Sequence, residues 1–118
     1  MLIGIDHVQL AAPPGGEEAA RDFYVGVLGM TELPKPPALA ARGGCWFQAG
    51  TVVIHIGVED PFRPALKAHP GLLVTDIDAL AKSLTRHGLP VRWDDSIPEL
   101  RRFHSDDPHG NRLEFIAN

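Results

Sequence analysis

Apolar positions along this chain recur with a period of two, then with a helical period, then with a period of two again, and the whole order is then repeated. Residues 2–11 alternate, with Ile3, Ile5, His7 and Gln9 on one face and Leu2, Val8 and Leu10 on the other, which predicts a strand covered on both sides. The turn Pro13-Pro14-Gly15-Gly16 opens a helix in which Ala20, Phe23, Tyr24, Val27 and Leu28 recur at helical spacing until Gly29 stops it. A proline-rich loop around Pro34, Pro36 and Pro37 leads to apolar runs at 43–49 and 51–58, divided by Gly50 and therefore read as a hairpin. Residues 59–68, with Pro61 and Pro64, read as a connector.

The same order then returns. A strand is expected over 70–75. Thr75-Asp76-Ile77-Asp78 has capping-box-like spacing, and Ile77, Leu80, Ala81 and Leu84 follow as a helix that Gly88 ends. Strands are expected near 89–93, 100–106 and 111–117, the last two joined through Asp107-Pro108-His109-Gly110, which fits a type I turn. The chain thus reads as one α+β domain of two βαβββ modules, about 1–58 and 69–118, and the duplication is too short for a solenoid.

The duplication gives the histidines their interest. His7 and His69 each open the first strand of a module, and His55 and Glu114 each lie inside a last strand, so they form two equivalent pairs. If the two sheets curve around a common cleft about a pseudo-two-fold axis, His7, His55, His69 and Glu114 converge on one point. Imidazoles with one carboxylate suit Zn²⁺, Ni²⁺, Fe²⁺, Co²⁺ or Mn²⁺ rather than Ca²⁺ or Mg²⁺. In Val-Ile-His-Ile, His55 shares a face with Val53 and Gly57, whereas Val52, Ile54, Ile56 and Val58 form an apolar face, as a ligand on a cleft requires. Glu114 alternates with Leu113 and Phe115 and shares its side with Arg112, which offers an ion pair in place of a metal. A buried hydrogen-bond network without metal satisfies the same four residues. His87 reads as a helix C-terminal cation and His109 as a turn residue, while His104 is a reserve acid or base.

Bulk properties narrow the partners. The 118 residues suit a single domain, and 44% hydrophobic residues with no long apolar run exclude a membrane-spanning segment. The start lacks the pattern of a secretory signal, so a cytoplasmic location is expected. A net charge of −4 is the wrong sign for wrapping nucleic acid. Arg63, Lys67 and Arg102 are candidate contacts for an anionic small-molecule substrate, or else solvated surface charge. The single Cys45 lies in an apolar stretch and reads as a reduced, buried thiol.

The segments Asp-His-Val-Gln-Leu-Ala, Ala-Arg-Asp-Phe-Tyr-Val-Gly-Val-Leu-Gly-Met, Ala-His-Pro-Gly-Leu-Leu-Val and Asp-Asp-Pro-His-Gly-Asn-Arg-Leu-Glu-Phe-Ile together resemble the vicinal oxygen chelate superfamily. That group includes glyoxalase I, extradiol dioxygenases, fosfomycin-resistance enzymes and bleomycin-resistance proteins. The resemblance implies paired βαβββ modules forming a curved mixed sheet, a homodimer, and one divalent ion held by His7, His69 and Glu114. At position 55 glyoxalase-I-like relatives carry a glutamate ligand that also serves as base, so His55 is either a fourth ligand or an acid or base beside the metal, and Glu114 is the other catalytic candidate. A divalent ion with one glutamate and neutral histidines keeps about one positive charge, which favours a substrate bound through two adjacent oxygens. The implied activity is a glyoxalase-like lyase or isomerase, with an extradiol-type dioxygenase or a metal-free binding protein as the alternatives.

Overall fold

The computed structural model describes all 118 residues as two compact units, Met1–Pro64 and Ala65–Asn118. The first unit holds β1 (Val8–Ala12), α1 (Glu17–Tyr24), β2 (Thr31–Leu33), the short α2 (Pro37–Ala40), β3 (Cys45–Ala49) and β4 (Val52–Val58). The second holds β5 (Gly71–Val74), α3 (Ile77–Arg86), β6 (Arg92–Asp94), β7 (Arg102–Asp106) and β8 (Arg112–Ala117). Each forms a four-stranded mixed sheet, ordered β1-β4-β3-β2 and β5-β8-β7-β6, with the first and last strands of a unit parallel and the other pairs antiparallel. The α+β architecture and the repeated β-α-β-β-β order are as expected from the sequence. No helix is long and apolar enough to cross a membrane.

Helix α1 buries Ala20, Phe23 and Tyr24 at i, i+3 and i+4, and places Glu17 and Glu18 in its first turn, where acidic groups oppose the helix dipole. Helix α3 buries Ile77, Ala81 and Leu84, and its N-cap is Asp76, whose side chain accepts a hydrogen bond from the Ala79 amide at 3.0 Å, one residue later than the cap that the Thr75–Asp78 spacing implies. Under the first helix lie Phe47, Ile54 and Ile56; under the second lie Phe103, Leu113 and Phe115, each at most 2% exposed. Burying each of these side chains contributes about 1.5–3 kcal/mol, which makes the two sheet faces the main source of stability. Cys45 is buried in the first core, and desolvation pushes its thiol up to about 11, as an inert thiol requires.

Several boundaries differ from the sequence reading. The first helix ends at Tyr24 with Val25 as its cap, so Val27, Leu28 and Gly29 lie beyond it rather than in its last turn. The first strand starts at Val8, and Leu2, Ile3 and Ile5 are exposed, so their alternation does not reflect a covered strand in this chain. His7 therefore precedes β1, and His69 likewise precedes β5. The proline-rich loop contains α2, whose Pro37 sits where a missing amide hydrogen costs nothing. The strand expected near 89–93 forms later, at Arg92–Asp94.

The β7–β8 hairpin matters most for the site, because its turn fixes which residues face each other. Buried Asp107 accepts hydrogen bonds from the amides of His109 and Asn111 at 2.9 and 3.0 Å and from Asn111 Nδ2 at 2.9 Å. Gly110 closes the turn on the Asp107 carbonyl, and Asn111 Oδ1 accepts from the Ala65 amide. With this turn the register pairs Asp106 with Arg112 and hence His104 with Glu114. Replacing Asp107 by alanine strands one buried and one part-buried amide donor and should cost about 2–4 kcal/mol, read as a lower urea midpoint with an unchanged slope. A loss below about 0.5 kcal/mol would show that the turn does not set the register.

Candidate metal centre

In the second unit three donors meet. Glu114 lies in the buried middle of β8, His104 lies opposite it on β7, and His69 stands just before β5. Their ligand atoms all fall within 4.8 Å of one another. Glu114 Oε1 is 3.0 Å from His69 Nε2 and 3.8 Å from His104 Nε2. The other carboxylate oxygen, Oε2, accepts a hydrogen bond from Arg102 at 2.8 Å. Arg102 sits diagonally across the β7–β8 pair and is fixed in turn by Asp94 at 3.0 Å and by Ser96 Oγ at 3.1 Å. One oxygen of Glu114 is thus tied to the protein and the other is aimed at two imidazoles, the arrangement by which an outer hydrogen bond orients a metal-ligating carboxylate.

The proton positions follow from the partners. His69 Nδ1 lies 2.8 Å from the Lys67 carbonyl, which can only accept, so Nδ1 carries a hydrogen and donates it. Nε2 then confronts a carboxylate oxygen, and two lone pairs at 3.0 Å repel unless a cation lies between them. Either a second ring proton or a metal ion meets that requirement. Burial pushes the Glu114 carboxyl up, but hydrogen bonds from Arg102 and His69 outweigh it and hold it below its ordinary value. Burial, with Arg112 nearby, lowers His104, which keeps its ring neutral and its lone pair available. Two imidazoles and one ionised carboxylate fit a borderline divalent ion such as zinc, nickel, iron, cobalt or manganese.

The first unit carries the other two expected ligands. His7 stacks on His55 with ring centroids 3.8 Å apart, and His55 stacks on Trp46 at 4.0 Å and 3°. Trp46 is the register partner of His55 across β3–β4, just as His104 is that of Glu114 across β7–β8. His7 Nδ1 faces Asp6 Oδ1 at 2.8 Å, so it donates there and leaves Nε2 as the free nitrogen. Burial and then His7 lower the pKa of His55.

The four expected ligands thus come together as two pairs, one within each unit. His104, read from sequence as a reserve, stands among the donors of the second unit. The hairpin register could have found it, since a type I turn at 107–110 places His104 opposite Glu114. The sequence offered Arg112 as the ion-pair partner of Glu114; the structure uses Arg102, because a diagonal neighbour on the adjacent strand reaches Oε2. Arg102, expected to contact substrate, is committed to Glu114, Asp94 and Ser96. Arg63 and Lys67 are exposed. Trp46, Lys35 and Arg42 were not singled out from sequence, although they line a cavity with His7 and His55.

Over residues 4–115 the sequence matches the family described as the Glyoxalase/Bleomycin resistance protein/Dioxygenase superfamily. No curated protein matches it. Among solved structures it is similar to a glyoxalase family protein from Bacillus anthracis, at 51% identity and a TM-score of 0.95, covering 100% of this chain and 97% of that one. The fosfomycin resistance protein FosX from Listeria monocytogenes shares the fold at 15% identity, with a TM-score of 0.80 and coverage of 100% and 95%. Lactoylglutathione lyase from Agrobacterium tumefaciens does so at 18% identity, with a TM-score of 0.75 and coverage of 98% and 93%.

The lowered groups set a pH dependence for the metal-free protein. The unfolded chain takes up protons first as pH falls through 6.5 for His55 and His104, and again through 4.5 for Glu114. Stability is therefore full above these values and declines in two stages on acidification. In chelator-treated protein, His104→Gln should shrink the first stage and Glu114→Gln the second in a series of melting temperatures against pH. Identical profiles for the wild type and both variants would contradict the assigned environments.

Proposed function

Because the chain belongs to the glyoxalase/bleomycin resistance protein/dioxygenase superfamily, we propose that it is a divalent-metal-dependent enzyme acting on a small substrate through two adjacent oxygens. The reaction class proposed is that of a glyoxalase-like lyase or isomerase. The observation that carries this reading is the approach of His69 Nε2 to Glu114 Oε1 at 3.0 Å while His69 Nδ1 is engaged by a carbonyl, a geometry that calls for a cation at that place.

In this reading His69 and Glu114 hold the ion. His7 is the third ligand implied by the resemblance, with its Asp6-held Nδ1 leaving Nε2 to coordinate. The bound ion supplies Lewis acidity toward a carbonyl or enediolate oxygen. The remaining work falls to the chain's own groups. Arg102 keeps the Glu114 carboxylate ionised and pointed, and would hold Oε2 still if Oε1 shifted between ion and proton. His104 stands beside Oε1, neutral, as a further donor or as the partner that accepts a proton. His55, held flat between His7 and Trp46, is proposed as the second acid or base rather than as a fourth ligand.

Elemental analysis of protein purified without chelator tests this reading. About one ion per chain is expected in the wild type, falling at least tenfold in His69→Ala and Glu114→Ala and also lost in His7→Ala. Zinc, nickel, cobalt or manganese supports isomerase or lyase chemistry, whereas iron with oxygen consumption on a catechol would replace that assignment with ring cleavage. A wild-type protein that stays empty after reconstitution with each of the five ions would overturn metal dependence.

A further inference from the structure

The first unit contains a cavity of about 680 Å³, lined entirely by residues of that unit. One wall is the column of His7, His55 and Trp46, in which His55 is covered on both faces and the rings are held nearly parallel. Leu33, Leu39 and Val53 add apolar surface. A rigid aromatic wall beside aliphatic side chains suits a flat apolar body, since such surfaces lose little freedom on binding.

The charged groups in this lining are unbalanced. Lys35 and Arg42 contribute two cations against the single carboxylate of Asp6, which is nearly fully exposed and already faces His7. Lys35 is anchored, its ammonium donating to the Gly43 carbonyl. Glu17 lies near enough to interact with Lys35, but its Oε2 accepts from the Gly44 amide at 2.8 Å and holds that loop against the sheet. The loop sits close: Gly44 has φ of +82°, and a Cβ there would come within 2.1 Å of the Ile56 carbonyl oxygen. Arg42, two residues earlier, is exposed and has no acidic partner. A fixed ammonium and an unpaired guanidinium over an aromatic wall form a site for an organic anion.

We propose that this cavity binds a small organic acid, a carboxylate or a phosphonate on a planar apolar body, with Arg42 and Lys35 on the anionic group and the body packed beside Trp46 and His55. Because His7 and His55 line it, the inference deepens the proposed function and rests on that reading of the site, while both cations belong to the first unit. It also assigns anion recognition to cations other than Arg63, Lys67 and Arg102.

The test uses benzoate and phenylphosphonate as probes and benzamide as the neutral counterpart. Binding is read from the indole N–H signal of Trp46 in ¹H–¹⁵N spectra, with Trp93→Phe removing the only other indole. Both anions should shift this signal saturably, with benzamide at least tenfold weaker. Arg42→Gln should weaken benzoate about fivefold and Arg42→Lys should restore most of the loss. Lys35→Gln combined with Arg42→Gln should bring benzoate down to the level of benzamide, with the rest of the spectrum unchanged. The same titration on chelator-treated wild-type protein should keep the discrimination between benzoate and benzamide. Equal binding of benzoate and benzamide, an unmoved Trp46 signal, or an unaltered Arg42→Gln variant would overturn the proposal. Loss of benzoate binding on chelation would also overturn it, by placing the anion on the metal.

Discussion

Glu114 is a carboxylate that the fold of the second unit takes largely out of water, so both of its oxygens must find partners there. Arg102 satisfies Oε2 from a neighbouring strand, and that bond leaves Oε1 to the imidazoles of His69 and His104. Most features of this unit serve the arrangement. Strand β8 is central in its sheet, flanked by β5 and β7, so its side chains are screened on both sides. The buried Asp107–Asn111 turn fixes the β7–β8 register, and the pairing of β5 with β8 brings the segment carrying His69 alongside. A shift of one residue in that hairpin would carry His104 to the opposite face and set Phe103 or Ser105 beside the carboxylate in its place.

The two units solve related problems with different chemistry. At the paired positions across the inner antiparallel strands, the second unit has His104 and Glu114, while the first has Trp46 and His55. The first pair of positions therefore offers groups that could hold a metal ion or a proton, and the second carries flat surface with one imidazole of lowered pKa. A duplicated βαβββ frame thus keeps backbone register while side chains at equivalent positions diverge. This is the physical form of a fold that hosts many activities, and it explains why a shared fold with FosX or with a lactoylglutathione lyase does not carry a substrate across.

Much of the architecture was legible in the sequence, because helical and strand periods alternate in the same order twice and Gly88 marks the end of the second long helix, although the first stops at Tyr24, well before Gly29. The start of the helix near Asp76 and the turn at 107–110 were readable from local side-chain chemistry. The start of the first strand was not, because alternation in Leu2–Asp6 states which faces are apolar and not whether anything covers them. Of the site, the residue types were visible and their partners were not. His7 was matched with His69, and His55 with Glu114, by position in the repeat, but the choice of Arg102 over Arg112 depends on diagonal reach across two strands. The role of the first unit's cavity was hidden for a similar reason: Lys35, Arg42 and Trp46 come from a loop and a strand whose closeness depends on the positive-φ turn at Gly43 and Gly44.

X-ray absorption at the metal edge, on protein reconstituted with one equivalent of zinc or cobalt, reports most directly on what lies between His69 and Glu114. Imidazole scattering from at least two histidines together with a carboxylate oxygen near 2.0–2.2 Å is the predicted first coordination sphere, with one imidazole lost in His69→Ala. A spectrum showing oxygen neighbours alone, or one unchanged by His69→Ala, would contradict the assignment and leave a proton as the cation shared by the two groups.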